Sequence, residues 1–308
     1  MTAILRKELA DYFTSIRFVA LFILVFFVSA AGLVATSQGI RAANLPEGIV
    51  FLGLFTTSGT VVPSLTYLVS LIVPIIGIAL GFDAINSERA GGTLSRVMAQ
   101  PVYRDSVING KFLAGLVTLS VMVATMMFLV AGFGLRMIGV PPTAEEVIRL
   151  FFYLFLTIIY GAFWMGLAIL FSIVFRRVAA SLLFSLALWL FFSIFILLIA
   201  PSIANAVVPI TDASSTAELV RNAELGQMIV RISPNILFQE ATTVLLVPLV
   251  RSLGMVTTTQ AAYMVPNPLS LGQSILLVWP HLTSLVSLSA VCFAISYVLF
   301  MRQEIRPT

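Results

Sequence analysis

Charged residues, cysteine and histidine are all scarce in this sequence. Of its 308 residues only 10% are charged and 60% are hydrophobic, whereas a water-soluble domain carries about 25% charged residues. A soluble fold could not bury so much apolar side chain, so much of the surface must face lipid. The single cysteine, Cys292, excludes a disulfide framework, and the single histidine, His281, excludes a histidine cluster around zinc or haem.

Long uncharged runs predict six transmembrane helices. A bilayer core of about 30 Å requires about 20 residues of apolar helix, and six runs of roughly this length lack Asp, Glu, Lys, Arg and His. They are Phe18–Ala35, Leu65–Phe82, Phe112–Leu135, Leu150–Phe175, Val178–Ala200 and Leu282–Met301. A capping box of Thr143 and Glu146 predicts that the fourth helix begins before its apolar run. We therefore predict an all-α polytopic membrane protein, with one transmembrane domain over residues 1–308.

The basic residues predict the orientation, because cytoplasmic loops retain arginine and lysine. With the amino terminus inside, the cytoplasmic segments hold eleven of the 17 basic residues. This inside set is Arg6, Lys7, Arg17, Arg89, Arg96, Arg104, Lys111, Arg176, Arg177, Arg302 and Arg306. The longer outside segments hold Arg41, Arg136, Arg149, Arg221, Arg231 and Arg251. Both termini are therefore predicted to be cytoplasmic.

Residues 1–17 precede the first crossing and have the pattern of an amphipathic helix. Leu5, Leu9, Tyr12 and Phe13 fall on one helical face, which is typical of a helix that lies on a membrane surface. We therefore expect an interfacial helix on the cytoplasmic face of the membrane.

Residues 201–281 form the longest connection and are predicted to face outward. Ser215 and Glu218 form a capping box, which predicts the start of a helix. The segment Ile236–Val247 is too short to span a bilayer and is expected to be an interfacial or re-entrant helix. This helical connection could gate the exit of a substrate, dock an extracytoplasmic partner, or pack as a lid on its own bundle.

The cytoplasmic stretch of residues 83–111, between the second and third crossings, carries the most specific pattern. It reads DAINSERAGGTLSRVMAQPVYRDSVINGK. We expect a short helix over residues 88–99 that ends before Pro101, since proline stops a helix. Gly91 and Gly92 within it allow a turn or a close approach of another backbone. The alternative is a solvated connection that carries only topology-setting basic residues.

These residues resemble those of the permease subunits of ABC-2 type transporters. The matching residues are Asp83, Glu88, Gly92, Thr93, Leu94, Pro101, Arg104, Gly110 and Lys111 in the loop, and Arg6, Lys7, Glu8 and Leu9 before the first crossing. Within the family, the chain is similar to the six-helix permeases whose ATPase is a separate subunit, such as the permease of nitrous-oxide-reductase maturation. The copper-related role of that permease is not carried over.

The resemblance implies a transport mechanism driven by a partner. In such permeases the loop helix is a coupling helix that sits in a groove of the ATPase, and two permeases pair with two ATPases. The implied contacts to the ATPase are Glu88, Arg89, Gly91, Gly92, Thr93, Leu94, Arg96, Pro101, Arg104 and Lys111, with a second contact at Arg6, Lys7 and Glu8. The resemblance also implies export across the inner membrane of a prokaryote, by a homodimer or a dimer with a related permease.

The chain itself lacks the residues for ATP hydrolysis. Its only Gly-Lys pair, Gly110-Lys111, is followed by Phe112 instead of the Ser or Thr of a phosphate-binding loop. ATP and Mg²⁺ are therefore expected on a partner ATPase, and no catalytic, cofactor or metal site is predicted here. The net charge of +4 is weak evidence for a nucleic-acid surface, and no nucleic acid is expected as a partner. Two alternatives remain: a polytopic membrane enzyme acting on lipids, and a non-transporting anchor for an ATPase.

Overall fold

The computed structural model describes residues 2–39, 50–92, 103–211, 215–250, 253 and 268–303. Within these ranges the chain forms helices and no strands. The α-helices are α1 (Thr2–Phe13), α2 (Ile16–Gly39), α3 (Gly53–Thr56), α4 (Leu65–Gly81), α5 (Asn86–Ala90), α6 (Arg104–Ile138), α7 (Ala144–Val174), α8 (Val178–Leu190), α9 (Ile196–Val207), α10 (Thr216–Val230), α11 (Pro234–Leu246) and α12 (Leu271–Arg302). A π-helical turn, Phe191–Phe195, joins α8 to α9.

Six helical segments in the described ranges are long and apolar enough to cross a membrane. They are α2, α4 together with α5, α6, α7, the continuous segment of α8 and α9, and α12. The predicted all-α fold and the predicted number of crossings are therefore confirmed. The position of α1 on a membrane surface stays a prediction.

The third and fifth crossings are longer than their apolar runs. Helix α6 begins at Arg104, before the run predicted from Phe112, and α9 continues through Pro201 to Val207. The third bound was too narrow because a charge-free run ends at the first ionisable residue, whereas a helix continues past the hydrocarbon wherever its backbone bonds are made. The fifth bound lay before Pro201, and a membrane helix continues through a proline where neighbouring groups satisfy the freed backbone atoms.

The last crossing shows the largest departure from the prediction. Helix α12 begins at Leu271 and contains both Pro280 and His281, which the sequence pattern had assigned to the outer connection. The His281 side chain is only 6% exposed and lies 2.7 Å from Glu240. Proline is tolerated inside a membrane helix when neighbouring groups satisfy the freed backbone atoms.

Helix α7 lies at the centre of the bundle. It packs along α4 and α12 and also contacts α6 and α11. Glycines allow the approach of α4: a Cβ atom at Gly77 would lie 2.6 Å from the carbonyl oxygen of Gly161, and one at Gly81 would lie 2.6 Å from that of Met165. Small residues at such crossings let helix backbones pack closely in lipid.

The start of α7 holds several segments at one end of the bundle, called here the α11 end. The predicted capping box of Thr143 and Glu146 is present, and the second carboxylate oxygen of Glu146 accepts from the backbone N–H groups of Phe51 and Leu52 at 3.0 and 3.4 Å. This carboxylate therefore fixes the segment that precedes α3 to the start of α7.

One turn further along α7, Arg149 is 1% exposed and fully engaged. Its guanidinium donates to the carbonyl oxygens of Leu245 and Leu269, at 2.8 and 2.7 Å, and to the Ser274 hydroxyl at 3.0 Å. It also pairs with Glu145 at 2.7 Å. Arg149 therefore joins the end of α11 and the start of α12 to α7.

The described part of the connection between the fifth and sixth crossings contains helices α10 and α11, as its pattern predicts. The capping box of Ser215 and Glu218 begins α10, and α11 packs against α4, α7 and α12. Glu240 of α11 accepts from Arg231 at 2.9 Å and lies 2.7 Å from Nε2 of His281. Burial by itself would raise the pKa of Glu240, but the hydrogen bonds with His281 and Arg231 outweigh burial and hold this pKa below its ordinary value.

Candidate functional site

The short loop helix α5 ends earlier than its predicted bound. It ends at Ala90, and Gly92 then takes a φ of +66°, a conformation that favours glycine. Gly91 and Gly92 are exposed and form a turn at the end of the bundle opposite α11, called here the α5 end. The predicted helical continuation over residues 93–99 lies outside the described residues.

A buried group of charges, the lysine cluster, lies beneath this turn and consists of Lys111, Glu8, Glu88 and Lys7. The Nζ atom of Lys111 lies 3.0 Å from Oε1 of Glu8 and 2.8 Å from Oε1 of Glu88. The side chains of Lys111, Glu8 and Glu88 are only 5%, 10% and 15% exposed. Because the three residues come from α6, α1 and α5, one ammonium group ties three helices together.

Lys7 closes the lysine cluster from the solvent side. Its Nζ atom lies 3.0 Å from Glu8 and 3.5 Å from Glu88, and its side chain is 53% exposed. Partial burial lowers the pKa of Lys7, but its contacts with Glu8, Glu88 and Asp11 outweigh burial and raise this pKa. Two ammonium groups therefore face the two buried carboxylates, which keeps the lysine cluster close to neutral.

Helix α1 is fixed to the bundle by further contacts. The Tyr12 hydroxyl donates to the carbonyl oxygen of Leu80 at 2.8 Å, and a Cβ atom at Gly110 would lie 2.8 Å from the Ile4 side chain. Arg17, at the start of α2, pairs with Asp83. The inward face of α1 therefore packs against protein, so its amphipathic pattern has a use besides lipid contact.

The end of α12 joins the same region through Gln303. The Gln303 amide accepts from Arg89 and donates to the carbonyl oxygen of Ile173 at 3.1 Å. Arg104 donates to the Gln303 carbonyl oxygen at 3.0 Å. Side chains at the start of α6 and in α5 are thus bonded to the carboxyl ends of α7 and α12.

The predicted contact residues separate into groups by their position. Glu8, Glu88 and Lys111 point into the lysine cluster, while Arg89 and Arg104 bond to Gln303. Arg6, Gly91 and Gly92 are exposed, and Lys7 is half exposed. The remaining predicted contacts lie outside the described residues: Thr93, Leu94, Arg96 and Pro101.

Sequence reasoning missed Gln303, Tyr12 and the pairing of Arg17 with Asp83. An uncharged glutamine after the last crossing carries no periodic or charge signal. Tyr12 was counted only for its apolar ring. Lys111, one of two lysines in the chain, could have indicated the ion pairs, because a buried ammonium group requires carboxylate partners.

The geometry of this region connects an exposed turn to several helices. Among the described residues, no group of three His, Cys, Asp or Glu side chains could hold a metal ion. The turn after α5 is exposed, whereas the side chains behind it bond to α1, α6, α7 and α12. A displacement applied at the turn would therefore be felt by four other helices.

Comparisons with known proteins agree with this architecture. A model of the ABC-2 family transporter proteins matches residues 2–305. The chain is similar to the probable ABC transporter permease protein NosY of Pseudomonas aeruginosa, with 33% identity over 152 residues, 46% of this chain and 50% of that protein. The protein of the same name in Stutzerimonas stutzeri is 35% identical over 77 residues, 23% of this chain and 28% of that protein. The chain thus spans half the length of the first relative and a smaller share of the second.

Proposed function

This chain belongs to the ABC-2 family of transporter proteins, and we propose that it is the permease subunit of an ATP-driven exporter. It would carry a substrate across the inner membrane of a prokaryotic cell, with ATP and Mg²⁺ bound by a separate ATPase subunit. Two observations support a permease that depends on a separate ATPase. The described part of the chain has six helices long and apolar enough to span a membrane, and the sequence has no phosphate-binding loop. Both relatives are named as ABC transporter permeases, which supports the proposal as well.

The observation that carries the proposal is the lysine cluster behind an exposed turn. Coupling between two sites requires contacts that differ between two states of the protein. An ATPase that binds the turn after α5 and changes conformation on ATP binding would displace Glu88. Since Glu88 is bonded to Lys111, and Lys111 to Glu8, α1 and α6 would follow α5. Exposed Arg6 would be a second contact with the same partner.

A dimer of permeases is proposed because large apolar faces remain uncovered in one chain. In the most apolar 18-residue stretch of each crossing, only 33% of α2, 11% of the α8–α9 segment and 17% of α12 is buried inside the protein. In the other three crossings, 50–67% of the same stretch is buried. The uncovered faces are available to lipid and to a second copy or a related permease.

The proposed orientation can be tested by labelling intact cells. In a C292S background, a cysteine that replaces exposed Ala90 would be accessible only from the cytoplasm. A cysteine that replaces exposed Glu224 of α10 would be accessible from the outside. A membrane-impermeant maleimide should label E224C in intact cells and label A90C only after the membrane is permeabilised. Labelling of A90C in intact cells would overturn the orientation.

The coupling proposal can be tested with an ATPase encoded beside the gene. The A90C variant should form a disulfide or bifunctional cross-link to the ATPase whose yield differs between ATP and ADP. A cysteine at exposed Arg177, in the α7–α8 turn on the same side of the membrane, is the matched control and should give little cross-linking. Equal yields at both positions, or yields independent of nucleotide, would contradict the proposal.

A further inference from the structure

A groove lies along α12 where it meets the corner between α10 and α11. It encloses about 630 Å³, which is within the range of about 300–1,000 Å³ found for ligand sites. The corner contributes Arg231, Ile232 and Leu237, and α12 contributes Pro280, His281, Ser284, Ser287, Leu288 and Val291. No residue of this lining takes part in the lysine cluster at the opposite end of the bundle.

The length of the groove along α12 corresponds to the thickness of one leaflet of a bilayer. The lining residues of α12 recur at helical spacing from Pro280 to Val291, so they form one face of the helix. At 1.5 Å per residue this face is about 17 Å long, close to half of the roughly 30 Å hydrocarbon core. His281 therefore lies near one membrane surface when Val291 lies near the bilayer centre.

The two ends of the groove differ in polarity. At the α11 end the Glu240 carboxylate accepts from Gln227 and Arg231, at 3.4 and 2.9 Å, and lies 2.7 Å from His281. Arg231 also donates through Nη2 to the carbonyl oxygen of Leu253 at 3.0 Å. Within the described part of the chain, Nη1 of Arg231 has no acceptor, and the side chain is 31% exposed. Because Arg231 lines the groove, its guanidinium lies at the mouth.

The inner half of the groove is apolar except for Ser287. Leu237, Leu288 and Val291 line it, at a depth where only hydrocarbon can approach from the side. A water-soluble ligand would leave its polar groups without partners there. A molecule with one anionic end and one hydrocarbon chain matches both halves.

We propose that this groove binds a phospholipid of the outer leaflet whose headgroup is anionic. The phosphate accepts a hydrogen bond from Arg231, and one acyl chain lies along α12 against Leu288 and Val291. The assignment to the outer leaflet rests on the proposed orientation of the permease, whereas binding itself does not. Arginine suits this role because its planar donors match phosphate oxygens and it stays charged.

Lipid binding can be measured by native mass spectrometry of the purified full chain in detergent, without an ATPase. Phosphatidylglycerol and phosphatidylcholine are titrated separately, and phosphatidylglycerol should bind more tightly. R231Q should weaken phosphatidylglycerol binding by about tenfold, the loss expected for one charge-assisted hydrogen bond. R221Q, at an exposed arginine of α10, is the matched control and should bind like the wild type. Equal binding of the two lipids, or equal effects of R231Q and R221Q, would overturn the proposal.

A second pair of variants tests the groove without touching its charges. S287F should fill the apolar half and lower phosphatidylglycerol binding, whereas A290F, at an exposed position outside the lining, should leave binding unchanged. Excess glycerol phosphate should not displace the lipid, because it has no chain for the apolar half. If S287F instead separates a dimer into monomers and leaves lipid binding intact, the groove is a protomer interface and the proposal is wrong. Since no ATPase is present, failure here would leave the transport proposal standing.

Discussion

Replacing Lys111 with methionine tests the lysine cluster most directly. The change removes an ammonium group that is 5% exposed and lies 3.0 and 2.8 Å from two buried carboxylates. Removal of one partner from a buried ion pair costs about 3–5 kcal/mol, since it leaves uncompensated charge. Half-exposed Lys7 still contacts both Glu8 and Glu88 and compensates part of the lost charge. We therefore expect K111M to lower the free energy of unfolding by about 3 kcal/mol, the low end of that range.

The assay is unfolding of the purified chain in mixed micelles, followed by tryptophan fluorescence. K7M is the matched control: an exposed ion pair contributes about 0–1 kcal/mol, so its effect should be small. The triple variant K111M/E8Q/E88Q removes the stranded carboxylate charges and should recover much of the loss in K111M. If K111M and K7M cost the same, or if the triple variant is less stable than K111M, then Lys111 does not stabilise the junction of α1, α5 and α6.

Three further predictions concern the bundle and its α11 end. R149M should lower the free energy of unfolding by about 3–5 kcal/mol, because loss of the buried guanidinium leaves its partners unpaired. R136M, at an exposed arginine, should change the free energy of unfolding little in the same micelle assay. G77A should cost about 1–3 kcal/mol by overpacking the α4–α7 crossing, whereas G132A, whose added Cβ atom meets nothing within 4 Å, should not destabilise. The pKa of Glu240 is lowered, so its stabilisation is present at neutral pH and lost as pH falls through that lowered pKa. The protection of amides in α10 and α11, corrected for the intrinsic exchange rate at each pH, should therefore fall as pH drops through that lowered pKa in the wild type and depend less on pH in E240Q.

The crossings could be predicted from sequence because lipid imposes a simple rule on composition. A helix in hydrocarbon must be about 20 residues long and mostly apolar, and this signal lies within each run. The ends of the helices do not follow the same rule. Pro201 and Pro280 lie inside helices, although both belong to the predicted connection of residues 201–281, since sequence alone does not show which neighbouring groups satisfy the backbone around a proline.

Charged residues near the membrane could be found from sequence, but their partners could not. Glu8, Glu88 and Lys111 were all expected to contact an ATPase, because the resemblance to ABC-2 permeases implies it. The structure turns them toward one another across 103 and 23 residues of sequence. No local period connects such positions, because the pairing is set by how α1 docks on α6.

The lysine cluster also changes what a mutation in the loop can mean for transport. A variant at Glu88 alters the ion pair with Lys111 as well as any contact with an ATPase, so loss of transport in E88K would not by itself identify a partner contact. Ala90 and Gly92 are exposed on the turn and do not belong to the cluster. Substituting Ala90 should therefore affect partner binding while leaving the free energy of unfolding unchanged, whereas substituting Glu88 should affect both. Measuring transport and unfolding on the same two variants separates the partner contact from the internal connection, and a destabilised A90E variant would contradict this separation.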